Sequence, residues 1–82
     1  MWIDFFNQAA SDFWSGLYSY DKYKATNDVF AGIWIDMNEP SVFSQKETTM
    51  PKEVHHVTSK GEVVYHRSVH NAYGLFMAKA TY

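Results

Sequence analysis

The feature that most constrains the fold is an unbroken apolar run, VFAGIWI, over residues 29–35, which ends at Asp36. β-branched and aromatic residues dominate this run. Such a run is typical of a strand buried on both faces, as in a parallel sheet covered by helices. Because Pro40 has no backbone N–H for a ladder, we expect this strand, over residues 29–36, to end before it.

The residues before this strand predict a shorter strand followed by a helix. Residues 2–6 (WIDFF) are expected to form the end of a strand, and Asn7 to cap the helix that follows. Apolar residues at helical spacing then predict a helix over about residues 8–19. The polar residues 19–28 are expected to connect it to the buried strand.

The residues after the strand predict a long excursion and a second helix. Residues 44–67 are polar and unusually long for a loop, with a hairpin predicted at about residues 54–65 around the turn SKG. Helical spacing returns from Val69, with Ser68 as the expected cap and Gly74 as a point of close packing. In both helices we expect the apolar stripes to pack in the core or against the rest of a barrel; they comprise Phe13, Trp14, Leu17, Tyr73 and Phe76.

The predicted order of strand, helix, strand, long loop and helix indicates an α/β fold with a parallel sheet. Two strands do not make a stable sheet of this kind. The chain has 82 residues, of which 46% are hydrophobic and 18% aromatic, a composition typical of the interior of a larger protein. We therefore interpret residues 1–82 as a single incomplete domain.

The charge and apolar pattern argue against two classes of partner. The net charge is −2 and Arg67 is the only arginine, so no basic patch is available to bind nucleic acid. The longest apolar run is far too short to cross a bilayer. The sequence predicts neither a nucleic-acid partner nor a membrane span.

Asp36 is the first candidate for chemistry. At the carboxyl end of a buried strand, a carboxylate can act as a nucleophile, base or metal ligand. It can also simply cap the following turn, and position alone favours the cap. Glu39 lies three residues further on beside Pro40, where a glutamate is usually solvated.

The longer string GIWIDMNEPSVF, over residues 32–43, closely resembles the nucleophile motif of family 31 glycoside hydrolases, the α-glucosidase family. That motif is typically W-x-D-M-N-E followed by P-S-V-F. Other segments resemble the same family, so the resemblance covers nearly the whole chain; they are residues 4–14, 48–56 and 66–82. Residues 18–30 look most like glucosidase II catalytic subunits, whereas MAKATY, over residues 77–82, is also similar to bacterial α-glucosidases.

The resemblance implies a partial (β/α)8 TIM barrel, with about two βα units around strands three and four. The parent reaction would be retaining hydrolysis of terminal α-linked glucose from oligosaccharides or glycans, without a cofactor or a metal. The remainder of the barrel would be the chain's partner, together with an accessory subunit if the parent is of the glucosidase II kind. That kind would place the parent in the ER lumen, and a bacterial kind would place it in the cytoplasm.

The resemblance also implies roles for four residues. Asp36 would be the catalytic nucleophile, and Glu39 would support it by hydrogen bonding or charge. Trp34 would line the glucose pocket, and Met37 would flank the scissile bond. Retaining hydrolysis needs a second carboxyl group on the opposite face of the sugar. Since Glu39 leaves the same loop as Asp36, the acid/base is expected from a later strand of the barrel.

Two alternatives remain beside this interpretation. A non-catalytic sugar-binding or interaction remnant of the same family would have the same sequence features. His66 and His70 have the i, i+4 spacing of zinc ligands, but the His-Glu-x-x-His pattern is missing, so no metal site is predicted. We expect His70 to anchor the start of the second helix, and His55 and His56 to be solvated.

Overall fold

The computed structural model describes residues 2–19, 21–22 and 32–82. Within these residues the chain forms a helix, a hairpin and a further helical stretch. The elements are α1 (Gln8–Leu17), β1 (His55–Val57), β2 (Val63–Tyr65), α2 (His66–Val69) and α3 (Tyr73–Thr81), with 3-10 turns at Lys46–Thr48 and His70–Ala72.

Helix α1 begins as the sequence predicts. The Asn7 side chain accepts a hydrogen bond from the Ala9 N–H at 3.0 Å, so it satisfies one of the free donors of the first turn. Its amide also donates to the Val57 carbonyl at 3.1 Å, which ties the helix start to the hairpin. The helix ends at Leu17, two residues before the predicted end.

The predicted hairpin is confirmed, and it is antiparallel. His56 pairs with Val64 at its centre. The turn closes through the Gly61 N–H, which donates to the Thr58 carbonyl at 2.8 Å. Gly61 has φ 79°, a left-handed conformation that glycine adopts without steric cost. The SKG turn therefore sets the register of the two strands.

The second helical stretch starts earlier than the sequence predicts. Strand β2 runs directly into α2, and Ser68 lies inside α2 instead of capping it. The first helical residue, His66, donates its backbone N–H to the Val54 carbonyl at 2.8 Å. Because the Val54 carbonyl, next to strand β1, accepts the hydrogen bond of the His66 N–H, this N–H needs no serine cap.

The parallel sheet expected from residues 2–6 and 29–36 is absent from the part of the chain that the structure describes. Residues 29–31 lie outside that part, and residues 2–4 and 32–37 form no ladder. A strand exists only where its backbone groups pair with a neighbour, and neither segment has such a neighbour among the described residues. The described residues therefore do not confirm either predicted strand; they form a mixed arrangement of helices and a hairpin.

The core is small and lies where the N-terminal segment meets α3. Its buried apolar residues are Phe5, Met50, Tyr73 and Ala80. Helix α1 packs against α3, and the Trp14 indole N–H donates to the Thr81 hydroxyl at 2.9 Å. Phe13, expected in the core or against the rest of the barrel, is 60% exposed and so does not belong to the core of the described residues.

Candidate active site

Asp36 opens a tight loop over residues 36–41. Its Oδ1 accepts the backbone N–H of Met37 at 2.8 Å. The Met37 carbonyl in turn accepts the Ser41 N–H at 3.0 Å, which closes the loop. Met37 has φ 63°, a conformation that is uncommon for a residue with a side chain. Such conformations cost free energy and are concentrated at functional sites.

The far end of this loop is fixed to the chain that follows it. Pro40 is fully buried, and its peptide bond with Glu39 is cis. The Pro40 carbonyl accepts hydrogen bonds from the Met50 N–H at 3.1 Å and from the Thr49 hydroxyl at 2.7 Å. A single antiparallel bridge joins Ser41 to Thr49. The loop is therefore anchored by backbone contacts as well as by its own turn.

Glu39 is exposed and is stabilised as a carboxylate. The Ser41 hydroxyl donates to its Oε2. This hydrogen bond, together with one from the Glu39 backbone, lowers the pKa of the Glu39 carboxyl below its usual value. A general acid needs the opposite shift, because it must hold a proton near neutral pH. Glu39 is therefore suited to supply charge or accept hydrogen bonds, not to donate a proton.

The predicted site residues lie on one exposed segment. Asp36 and Glu39 are both solvent-accessible. Trp34 is 88% exposed and Met37 46% exposed. The structure thus leaves both carboxylates and both apolar side chains accessible on one stretch of the chain.

Helix α3 packs directly beneath this loop at Gly74. A Cβ built on Gly74 would lie 3.0 Å from the backbone oxygen of Asn38. The Asn38 side-chain Oδ1 is buried and has no hydrogen-bond partner within the described residues. The sequence suggested close packing at Gly74, and the structure confirms it. The absence of a side chain at Gly74 lets the helix support the loop that carries Asp36.

Alanine at Gly74 and alanine at Gly16 are expected to change stability in opposite directions. Both glycines lie in helices, where alanine is intrinsically better by about 1 kcal/mol. At Gly16 nothing lies within 4 Å of the new Cβ, so we expect stabilisation of about that size. At Gly74 the contact with Asn38 should outweigh this gain and lower stability by about 1 kcal/mol. Urea unfolding of the two variants measures the difference; equal stabilisation would contradict the packing role of Gly74.

The structure also brings together two histidines, His56 and His66, that lie ten residues apart in the sequence. His56, expected to be solvated, is only 3% exposed, and His66 is fully buried. The two rings hydrogen-bond to each other at 2.9 Å. His55 is exposed as predicted. The prediction for His56 was wrong because burial of this position depends on contact with the distant N-terminal segment, including the Phe6 ring at 4.7 Å.

Two further properties of the described residues bear on function. No cluster of three His, Cys, Asp or Glu side chains among them could hold a metal ion. None of the described helices is long and apolar enough to cross a membrane.

Comparison with known proteins identifies the class to which this loop belongs. Residues 1–82 match the sequence model of the Glycosyl hydrolases family 31 TIM-barrel domain. The chain therefore belongs to glycosyl hydrolase family 31, and by family it is a glycoside hydrolase.

Relatives from three kinds of organism agree with this assignment. The chain is 39% identical over 82 residues, all of its length, to "Glucosidase 2 subunit alpha" of Schizosaccharomyces pombe, of which it covers 8%. It is 42% identical over 79 residues (95% of its length) to human "Neutral alpha-glucosidase AB", again covering 8%. It is 39% identical over 80 residues (96% of its length) to "Alpha-glucosidase 2" of Bacillus thermoamyloliquefaciens, covering 9%. The chain thus spans less than a tenth of the length of these relatives.

Proposed function

We propose that this chain supplies the nucleophile loop of a retaining α-glucosidase barrel, with Asp36 as the nucleophile. The observation that carries the proposal is the placement of Asp36 in a family 31 chain. It is an exposed carboxylate at the start of a loop that is closed by its own backbone and backed by helix α3.

The hydrogen bonding of Asp36 suits nucleophilic attack. Oδ1 accepts the Met37 N–H, which orients the carboxylate. Oδ2 makes no hydrogen bond within the described residues, so it is free to attack. In the first step an Asp36 oxygen bonds to the anomeric carbon while the bond from that carbon to the leaving oxygen breaks. Water then attacks the glycosyl ester, releases glucose and restores the carboxylate.

The leaving oxygen must receive a proton from a second carboxyl group on the opposite face of the sugar, about 5–5.5 Å from the nucleophile. Glu39 is a poor donor, because its pKa is lowered by hydrogen bonding. We therefore assign Glu39 a supporting role beside Asp36. The acid/base comes from another part of the barrel, on a later strand. The reaction requires only the two carboxyl groups, without a cofactor or metal.

Apolar side chains around Asp36 suit the substrate. Trp34 presents an indole ring that can stack on the C–H face of glucose, and Met37 would flank the scissile bond. We assign terminal α-linked glucose in oligosaccharides or glycans as the substrate. This assignment rests on the names of the relatives, which are glucosidases and α-glucosidases.

The exposed apolar surface of the chain fits a place inside a larger barrel. Phe13 of α1 and Leu75 of α3 are 60% and 61% exposed, as is typical of side chains that pack against missing neighbours. We place residues 1–82 as one incomplete domain, about two βα units around strands three and four of the barrel. In the barrel, neighbouring strands would pair with residues 2–4 and 32–37, which have no ladder partner among the described residues.

The partners and the compartment of the parent protein, the whole barrel protein that contains residues 1–82, depend on the kind of relative that it resembles. A parent of the "Glucosidase 2 subunit alpha" kind would act with an accessory subunit, in the ER lumen. A parent of the bacterial kind would act in the cytoplasm. The chain is 39% identical to each kind, so both assignments stay open within the same chemistry.

A covalent trapping experiment tests the role of Asp36. The 82 residues would replace the matching segment of the S. pombe relative, and the chimera would be treated with a 5-fluoro-α-glucosyl fluoride. Fluorine destabilises the transition state while fluoride leaves readily, so the glycosyl ester accumulates. Peptide mass spectrometry is expected to find one fluoroglucosyl group on Asp36.

The isolated 82-residue chain provides the control for this experiment. Because it lacks the rest of the sugar-binding barrel, we expect no labelling, and because it also lacks the acid/base, we expect no release of chromophore from a chromogenic α-glucoside. Labelling of Glu39 in the chimera would reassign the nucleophile. A chimera that binds glucosides without being labelled would favour a non-catalytic sugar-binding remnant.

A further inference from the structure

Three of the four histidines are hydrogen-bonded in a row that ends on Asp4. The His56 Nδ1 lies 2.8 Å from Asp4 Oδ1, and His56 Nε2 lies 2.9 Å from His66 Nδ1. The His66 Nε2 lies 2.8 Å from His70 Nδ1. We refer to Asp4, His56, His66 and His70 as the histidine relay. It joins the N-terminal segment, strand β1, helix α2 and the following 3-10 turn.

The direction of the protons in the relay follows from Asp4. As a carboxylate it can only accept, and its oxygens also accept the backbone N–H groups of Val57 at 2.7 Å and Phe6 at 3.3 Å. His56 must therefore carry its proton on Nδ1, which leaves Nε2 as an acceptor. By the same rule His66 and then His70 donate from Nδ1. The neutral relay has a single proton order, with the lone pair of His70 Nε2 left open.

The relay accepts one additional proton without losing a hydrogen bond. That proton binds at His70 Nε2 and turns this ring into an imidazolium. The His70 Nδ1 proton can then move to His66 Nε2, and the His66 Nδ1 proton to His56 Nε2, with each junction keeping one proton. His70 is only half-buried and lines an open pocket beside Lys52, Arg67 and Asn71, so solvent can reach this end.

A second additional proton cannot be accommodated in the same way. Each of the three junctions holds one proton between two acceptor atoms, and the open Nε2 holds one more. Any further proton must place two hydrogen-bond donors opposite each other, either two N–H groups at a His–His junction or an Asp4 O–H against the N–H of His56 or of Val57. Because His56 and His66 are buried, water cannot replace the hydrogen bond that would be lost.

We propose that the histidine relay is a proton-binding site of capacity one, in which a single proton is shared by three imidazole rings and a second proton enters only when the relay opens. The site is independent of the role proposed for Asp36. Opening it breaks a side-chain hydrogen bond between the N-terminal segment, the hairpin and α2, so the relay contributes a pH-dependent link between these segments.

The charged and titratable groups around the relay are consistent with the uptake of a single proton. Burial, together with the charges of His56 and His70, lowers the pKa of His66 below 6.5. Tyr73 packs against the His56 and His66 rings, and burial and the charge of Asp4 raise its pKa to about 12, so it remains neutral. The Glu47 carboxylate interacts with His70, but it is also paired with Lys52 at 2.7 Å.

The sign of the pH effect follows from the lowered pKa of His66. The unfolded chain takes up a proton near pH 6.5, whereas the folded chain does so only at lower pH. The contribution of neutral His66 to the stability of the fold is therefore fully present above pH 6.5. It is lost as the pH falls through the pKa that His66 has in the folded chain.

Nuclear magnetic resonance of the chain labelled with ¹⁵N at histidine tests the proposal. At about pH 8, long-range ¹H–¹⁵N correlations should show Nδ1–H on all three relay rings. Between about pH 8 and about pH 5 the three rings should shift together, with a total uptake of one proton, because they titrate as one coupled unit. His55, which is exposed, provides an internal reference in the same spectra. Independent protonation of two relay rings in the folded chain, or spectra in which all three relay rings follow His55, would overturn the proposal.

The variant Asp4→Asn tests the direction of the protons. If the introduced amide keeps accepting the Val57 N–H through its oxygen, its NH₂ group turns toward His56 Nδ1, so the relay should reverse and all three rings should carry Nε2–H. Asp12→Asn is the matched control, since Asp12 lies on α1 and, among the described residues, accepts only from Gln8 at 2.8 Å. Unchanged tautomers in the folded Asp4→Asn variant would refute the proton order.

The variant His66→Gln tests the coupling separately. Because His66 joins the other two rings, this substitution should abolish the shared shift of His56 and His70.

Discussion

Replacing Asp36 with alanine in the chimeric barrel is expected to reduce kcat by at least about 10³-fold, the scale on which loss of a covalent nucleophile acts in other enzymes. The proposed mechanism forms a bond between Asp36 and the anomeric carbon, and no neighbouring group can replace it. Glu39 cannot substitute, because Ser41 holds it within the same loop. Steady-state hydrolysis of a chromogenic α-glucoside measures the effect.

Azide provides a readout that a structural role would not change. In the Asp36→Ala variant, azide can occupy the vacant space and attack the anomeric carbon from the nucleophile's side, while the acid/base protonates the leaving oxygen. The expected product is a β-glucosyl azide, with the configuration inverted. Recovery of turnover with azide in Asp36→Ala, but not in Glu39→Gln, supports the assignment. Full activity of Asp36→Ala would refute it.

Replacing Tyr73 with alanine is expected to destabilise the fold more than any other single truncation among the described residues, by about 3–5 kcal/mol. Tyr73 is fully buried and lies at the centre of the core. Its ring packs against the rings of Phe5 and His66, with centroid-to-centroid distances of 5.5 Å and 6.1 Å. Loss of this side chain leaves a cavity between the N-terminal segment and α3. Urea unfolding followed by circular dichroism measures the change.

Two controls separate the ring from the hydroxyl group of Tyr73. The hydroxyl donates to the Ile3 carbonyl at 2.7 Å, so Tyr73→Phe should cost only about 1 kcal/mol. Tyr65→Ala removes an equivalent side chain that is 52% exposed, and it should cost much less than Tyr73→Ala. Equal effects of Tyr65→Ala and Tyr73→Ala would show that Tyr73 is not the centre of the core.

Local features of this chain could be predicted from the sequence because they depend on neighbouring residues. Asn7 caps α1 through the Ala9 N–H two residues away. Gly61 permits the left-handed turn of the hairpin whatever surrounds it. The motif around Asp36 is likewise contiguous, so the family could be recognised before the fold was known. In each case the determining contacts lie within a few positions along the chain.

Features that depend on distant contacts could not be predicted in the same way. The start of α2 at His66 depends on the Val54 carbonyl, and the burial of His56 depends on Asp4 and Phe6. Residues 2–4 and 32–37 have a strand-like sequence, but a strand also needs a partner to accept its hydrogen bonds.

The sequence by itself determined the family, the candidate nucleophile Asp36, the helix cap and the hairpin turn. Only the tertiary structure decided that Gly74 lies beneath the motif loop and that three histidines form a row ending on Asp4. The physical reason is that these contacts join residues far apart in the chain. Their distances are set by how the helices and the hairpin pack, which no local pattern of residues records.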